Sequence, residues 1–192
     1  LEQLQNASPD QLAPHEPTIE KWLNHDDWWL QARAIQAASP LATDKRYYKR
    51  LIPMIAKIMA TTQRAGMPGY FINIAKKTSR ADPAIQDFAR EAFSQAYAAY
   101  PERISAPGGQ DMTAGTEYMI RHAAKAVAQT PGGLNALYAV AKQRFPDASL
   151  PHKELYLEAD PKRLGPELQE SMKQIIIEDL ILDSGLTEWG VL

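Results

Sequence analysis

Trp22, Trp28 and Trp29 place three of the chain's four tryptophans within one short stretch, and His25, Asp26 and Asp27 lie between them. An adjacent indole pair can act as a stacking platform for a base or a sugar ring. Neighbouring residues of a helix point about 100° apart, so one of Trp28 and Trp29 is expected in the core. The other is expected to cover a seam between helices, because tryptophan is usually largely buried. His25-Asp26-Asp27 offers a general base or oxygen ligands for a metal. His15, His122 and His152 lie far from it and from one another, outside any His-x-x-x-His or Glu-paired zinc pattern. The two acids suit a helix N-terminus better, where unpaired N–H groups and the dipole favour negative charge. No metal site and no catalytic residue is assigned.

The second constellation is basic. On a wheel turning about 100° per residue, Lys45, Arg46, Lys49, Arg50 and Lys57 fall on one arc, and Tyr47, Tyr48, Leu51, Ile52, Met54, Ile55, Ile58 and Met59 fill the other. Such an arc suits phosphate or an acidic partner surface, although any surface helix shows charge opposite its apolar face. The binding candidates are therefore Trp28, Trp29, Lys45, Arg46, Lys49 and Arg50. Residues 154–188 carry nine acids against three bases, and ends of opposite charge can set a head-to-tail contact between molecules.

Other chemistry finds little support. There is no Gly-x-Ser-x-Gly elbow, phosphate loop or paired-carboxylate context, and Gly108-Gly109 and Gly132-Gly133 read as turns after proline. With no cysteine, disulfides, thiolate metal ligands and a Cys nucleophile are excluded. A net charge of −2 lacks the electrostatic footprint of a general nucleic-acid binder. The longest apolar runs, 175–177 and 180–182, are far too short to cross a bilayer. No cofactor is implied, and no compartment is indicated. The opening at Leu1 carries no signal-like segment and is compatible with a trimmed N-terminus.

The elements that would position these groups are helical. Pro9, Pro14 and Pro17 predict an extended lead-in over residues 1–17, followed by one all-α domain over 18–192, a unit that suits part of a longer protein. Thr18 is read as the cap of a helix from Ile19. A helix from about Asp26 to Leu41 frays at Ser39-Pro40, since the residue before proline avoids the helical region. Asp44 opens the amphipathic helix, kinked at Pro53, where water can replace the bond lost at the Lys49 carbonyl. Further helices are predicted over 70–77, 83–99, 117–129, 134–145 and 166–182, with a turn at 153–158. Residues 105–115 read as the longest irregular loop.

Three stretches share one spacing: Asp27, Leu30, Gln31, Ala34, Ala37; Asp82, Ile85, Gln86, Ala89, Ala92; and Glu117, Ile120, Arg121, Ala124, Val127. An acid suits the helix start, and small residues on one face let a neighbour approach closely. Together with the proline inside Leu51-Ile52-Pro53-Met54-Ile55, this pattern resembles HEAT or armadillo repeats over residues 19–145. The resemblance implies an α-α superhelix, a HEAT-like solenoid of stacked antiparallel helix pairs whose concave face meets another macromolecule. It implies no catalytic residue. The expected function is a non-catalytic scaffold or protein-interaction module, partnered by another protein or another domain of the same chain. The alternative starts from Asp27-Trp28-Trp29-Leu30, which is loosely similar to alkylpurine DNA glycosylases built on HEAT-like repeats. There, Trp28, Trp29 and Asp27 would line a groove, and Lys45, Arg46, Lys49 and Arg50 would hold phosphates.

Overall fold

Asp27 and Asp82 show how the sequence starts its helices. Each carboxylate accepts a hydrogen bond from the N–H two residues on, at 2.7 Å from Trp29 and 3.1 Å from Ala84. Each thereby satisfies one of the donors that a helix start leaves open. The computed structural model describes residues 7–62, 64, 67–100 and 113–183, with side chains over 7–62, 64, 67–100 and 118–180. Every regular element among them is helical. In chain order they are α1 (Pro9–Leu12), a 3₁₀ turn (Ala13–His15), α2 (Glu16–Leu23), α3 (Trp28–Leu41), α4 (Tyr48–Thr61) and α5 (Pro68–Thr78). Then come α6 (Pro83–Ala99), α7 (Thr113–Ala128), α8 (Gly133–Arg144), α9 (Lys153–Leu157), a second 3₁₀ turn (Pro161–Arg163) and α10 (Pro166–Asp183).

The described part of the lead-in is not extended. Ser8 caps α1 in a reciprocal capping box with Gln11, and Pro9, Pro14 and Pro17 occupy the first turns of three successive helical pieces. Proline is harmless there because its missing N–H would have no partner. Leu12 and Glu16 are buried, so these turns belong to the core. Thr18 consequently lies inside α2 and caps nothing. Pro40 is likewise inside α3, whose last N–H bond runs from Ala42 to the Ala38 carbonyl at 2.8 Å. Asp44 makes a turn ahead of α4, accepting from the Arg46 N–H at 2.8 Å, and α4 itself starts at Tyr48. α7 begins four residues before the expected Glu117, so 113–115 are helical, and 105–112 of the expected loop lie outside the described residues.

Packing follows an alternating rule. In one row α2 lies against α4, α4 against α6, and α6 against α8; in the other, α3 lies against α5 and α5 against α7. The rows meet through contacts such as α2 with α3 and α6 with α7. Small residues make the close approach workable: Ala32, Ala34, Ala37 and Ala38 on α3 and Ala123, Ala124, Ala126 and Val127 on α7 are all buried. α4 supplies bulk, with Leu51, Ile52, Ile55, Ile58 and Met59 buried and Pro53 outward. Each such aliphatic side chain contributes about 1.5–3 kcal/mol when fully buried. The shared Asp- or Glu-led spacing falls on α3, α6 and α7, which do not occupy one row. It marks a helix start at Asp27 and Asp82 but lies inside α7, and what the three copies share is a small-residue core face, not one recurring place in the packing.

Candidate functional site

Both tryptophans of the adjacent pair stand out from the surface, Trp28 at 38% and Trp29 at 48% exposure, against the expectation that one would be buried. They sit in the first turn of α3, where there is no preceding turn for an indole to pack beneath. Their rings meet edge to face at 5.8 Å, and the Arg33 guanidinium lies over the Trp29 ring at 4.0 Å. Trp22 is the packed member, half-buried against the core. Asp27 spends its carboxylate on the α3 cap, and His25 Nδ1 accepts from the Asp27 N–H at 2.9 Å. Among the described residues no group of three His, Asp or Glu side chains is placed to hold a metal ion.

Most of the basic arc is occupied in holding the fold together. Lys45 reaches Asp82 at 2.9 Å, and Arg46 reaches Asp10 at 2.6 Å and Asp44 at 2.8 Å. Arg50 bridges Glu16 and Glu20 of α2. These contacts hold the carboxyls of Asp44 and Asp82 below the usual carboxylate range, chiefly through the hydrogen bonds from Arg46 and Lys45. Lys49 and Lys57 are the exceptions: neither makes an ion pair among the described residues, and the Lys49 ammonium lies 5.9 Å from the Tyr48 ring. The paired part of the arc thus ties α4 to α2 and the turn ahead of α4 to α1 and the start of α6.

Set against known proteins, the chain matches no family model, no curated protein and no solved structure.

A different cationic surface emerges from the packing. Between α3 and α5 runs a groove of about 300 Å³, with Gln36 and Ser39 on one wall and Tyr70, Asn73, Lys77 and Arg80 on the other. Lys76 also lines it, and among the described residues no carboxylate does. Asn73, Lys76 and Lys77 on α5 and Arg80 in the turn after it are all exposed. Arg33 stands beside the groove, donating to Gln36 Oε1 at 3.0 Å. Burial lowers the pKa of the Lys77 ammonium. The opposite row offers a contrast: the groove between α4 and α6 is lined mainly by Pro53, alanines and Phe88, with Lys57 balanced by Glu91. The signal for the cationic groove is present in α5, a helix with two lysines and no acid. Only the packing shows that an acid-free wall of α3 faces it.

A second cluster is polar and enclosed. The Tyr97 hydroxyl of α6 meets His152 Nε2 at 2.7 Å, and the Arg144 guanidinium lies 5.3 Å from the Tyr97 ring and donates to the Tyr97 carbonyl. Burial lowers the His152 pKa and raises that of Tyr97. The imidazole is therefore neutral near pH 7, and the phenol donates. Tyr156 is fully buried behind them, and its hydroxyl has no hydrogen-bond partner among the described residues. Nothing in the sequence relates positions so far apart.

Proposed function

We propose that this chain is a helical-repeat scaffold that binds another protein across the exposed side of α3, α5 and α7, without chemistry of its own. The alternating packing, in which each helix from α2 to α6 lies on the one two positions ahead, carries this reading. It is the contact pattern expected when helix pairs stack as a HEAT-like solenoid. The solvent side of that row combines polar and aromatic groups suited to an interface: Trp29, Arg33, Asn73, Lys76, Tyr118 and Lys125. The exposed Ile176, Ile177 and Leu180 on α10 add an apolar stripe that suits a further contact, either with a partner or with more of the same stack.

The test is whether binding depends on the face. Proteins captured by the chain should be lost from the Trp29→Ala and Tyr118→Ala variants and kept by Glu91→Ala and Gln95→Ala on α6. Equal loss, or no loss, from both sets would refute the reading. The nucleic-acid alternative draws support from the exposure of Trp28 and Trp29, but the phosphate contacts it assigns to Lys45, Arg46 and Arg50 compete with the ion pairs those residues make.

A further inference from the structure

We propose that α9 and α10 form a C-terminal latch on the helical stack, held shut by the Tyr97–His152 hydrogen bond and opened by protonation of His152. The inference goes beyond the scaffold reading and does not depend on what the chain binds. α9 and α10 pack on each other, and Lys153 of α9 reaches Asp179 of α10 at 3.5 Å, so the two form one piece. That piece has few anchors. Over residues 146–180 the buried residues are Leu150, Pro151, Tyr156, Leu164, Leu168 and Ile175, no more than α4 alone contributes. Ile176, Ile177 and Leu180 face water instead. Polar ties add to the hold: Arg121 of α7 meets Glu154 at 2.7 Å, Asn135 Oδ1 of α8 accepts from the Gly165 N–H at 2.7 Å, and the Tyr138 hydroxyl meets Ser171 Oγ at 2.8 Å. Local opening is expected where so little apolar surface holds an element down.

His152 is the tie that a proton can switch. Its ring is half-buried where the chain turns into α9, and the Tyr97 hydroxyl of α6 donates to Nε2 at 2.7 Å. A second proton on the imidazole leaves both groups offering hydrogen to one contact, unless the phenol turns its own away. The groups facing the ring are the Tyr97 phenol, the Phe145 ring at 6.2 Å, Arg144 of α8, Arg121 of α7 and, on α9 itself, Glu154. Burial is the main effect against the charged form. Arg144 and Arg121 reinforce it, and Glu154, already paired with Arg121, opposes it. Tyr97 and Tyr156 stay protonated because burial raises their pKa, so no phenolate compensates the imidazolium. Once the latch lifts, the ring is in water and its pKa returns toward 6.5, so the open form holds the proton more tightly than the closed one. Falling pH therefore shifts the population toward the open form.

Amide hydrogen exchange on the intact chain, at about pH 7.5 and about pH 5.5 and corrected for the intrinsic rate at each, reads the opening region by region. The best-protected amides of 153–180 are expected to stay below those of α3 and α4 at both values, and to lose protection at the lower one. His152→Asn tolerates the left-handed backbone and should show no such loss, which separates His152 from the other three histidines. Tyr97→Phe keeps the ring, removes the hydrogen bond, and should lose latch protection already at the higher pH. Circular dichroism checks that both variants keep their helices. Equal protection of 153–180 at the two pH values in the parent protein would overturn the latch, and that result needs no variant to fold. Protection of 153–180 as high as that of α3 and α4 would overturn it too, because exchange would then require the whole chain to unfold. So would an undiminished pH effect in His152→Asn.

Discussion

Tyr97 on α6 and His152 at the head of α9 are joined side chain to side chain, Oη to Nε2 at 2.7 Å, across 55 positions of sequence. His152 adopts a left-handed backbone, φ 61°, the only positive φ among the described non-glycine residues. The cost of that conformation, about 1–2 kcal/mol, is borne where the hydrogen bond and burial hold the ring in place.

This pair predicts an acid-sensitive fold. Desolvation is the main cause that lowers the folded His152 pKa below 6.5; Glu154 opposes it, while Arg144 and Arg121 reinforce it. Above about pH 6.5 the imidazole is neutral in both states, and its contribution is constant. As pH falls below that value the unfolded chain takes up the proton first, so stability declines toward the lowered folded pKa. Urea midpoints measured from about pH 7.5 to 5 should fall, and His152→Asn, which tolerates the left-handed backbone, should remove part of the slope. An unchanged slope in that variant would assign the acid sensitivity elsewhere.

Arg50 ties α4 to two carboxylates of α2, of which Glu16 is nearly enclosed. Neighbouring charge and burial also raise the Glu20 pKa, with desolvation the larger cause and Glu16 next. Arg50→Met leaves both acids without their cation. Because the arginine is itself about half exposed, the expected loss is about 1–2 kcal/mol, less than for a fully buried pair. Hydrogen exchange should localise it, with amides of α1 and α2 gaining more than those of α7.

The glycines should rank sharply under substitution by alanine. A Cβ at Gly133 would meet the Val127 carbonyl oxygen at 2.0 Å and Thr130 Oγ1 at 2.5 Å, so backbone must move. Gly132 has room but a φ of +70°, and Gly69 meets nothing within 4 Å. Gly133→Ala should lose about 3 kcal/mol and Gly132→Ala about 1 kcal/mol. Gly69→Ala in the first turn of α5 should be neutral or gain up to about 1 kcal/mol. Thermal unfolding of the three variants gives the order directly.

Trp22 and Trp29 separate packing from surface. Trp29→Ala loses an exposed ring and its contact with Arg33 and should cost less than about 1 kcal/mol. Trp22→Ala removes a ring packed on the core and should cost about 2–3 kcal/mol. Similar losses in denaturant titrations would contradict the placement of Trp29.

The sequence by itself determined the helices and most of their ends. Asp27 and Asp82 announce their caps, the wheel over α4 separates buried from exposed positions, and Pro83 starts α6 as its N–H deficit requires, because these are local effects of periodicity and capping. It misread residues 9–17, where prolines that suit an extended chain equally suit the first turns of short helices. Only the tertiary structure decided what the charges do. Whether Lys45, Arg46 and Arg50 are free depends on Asp10, Glu16, Glu20 and Asp82, which reach them from other helices. The groove beside α5 is likewise a product of packing, because α3 supplies its other wall. Periodicity is a property of neighbours along a chain, whereas charge pairing is a property of neighbours in space.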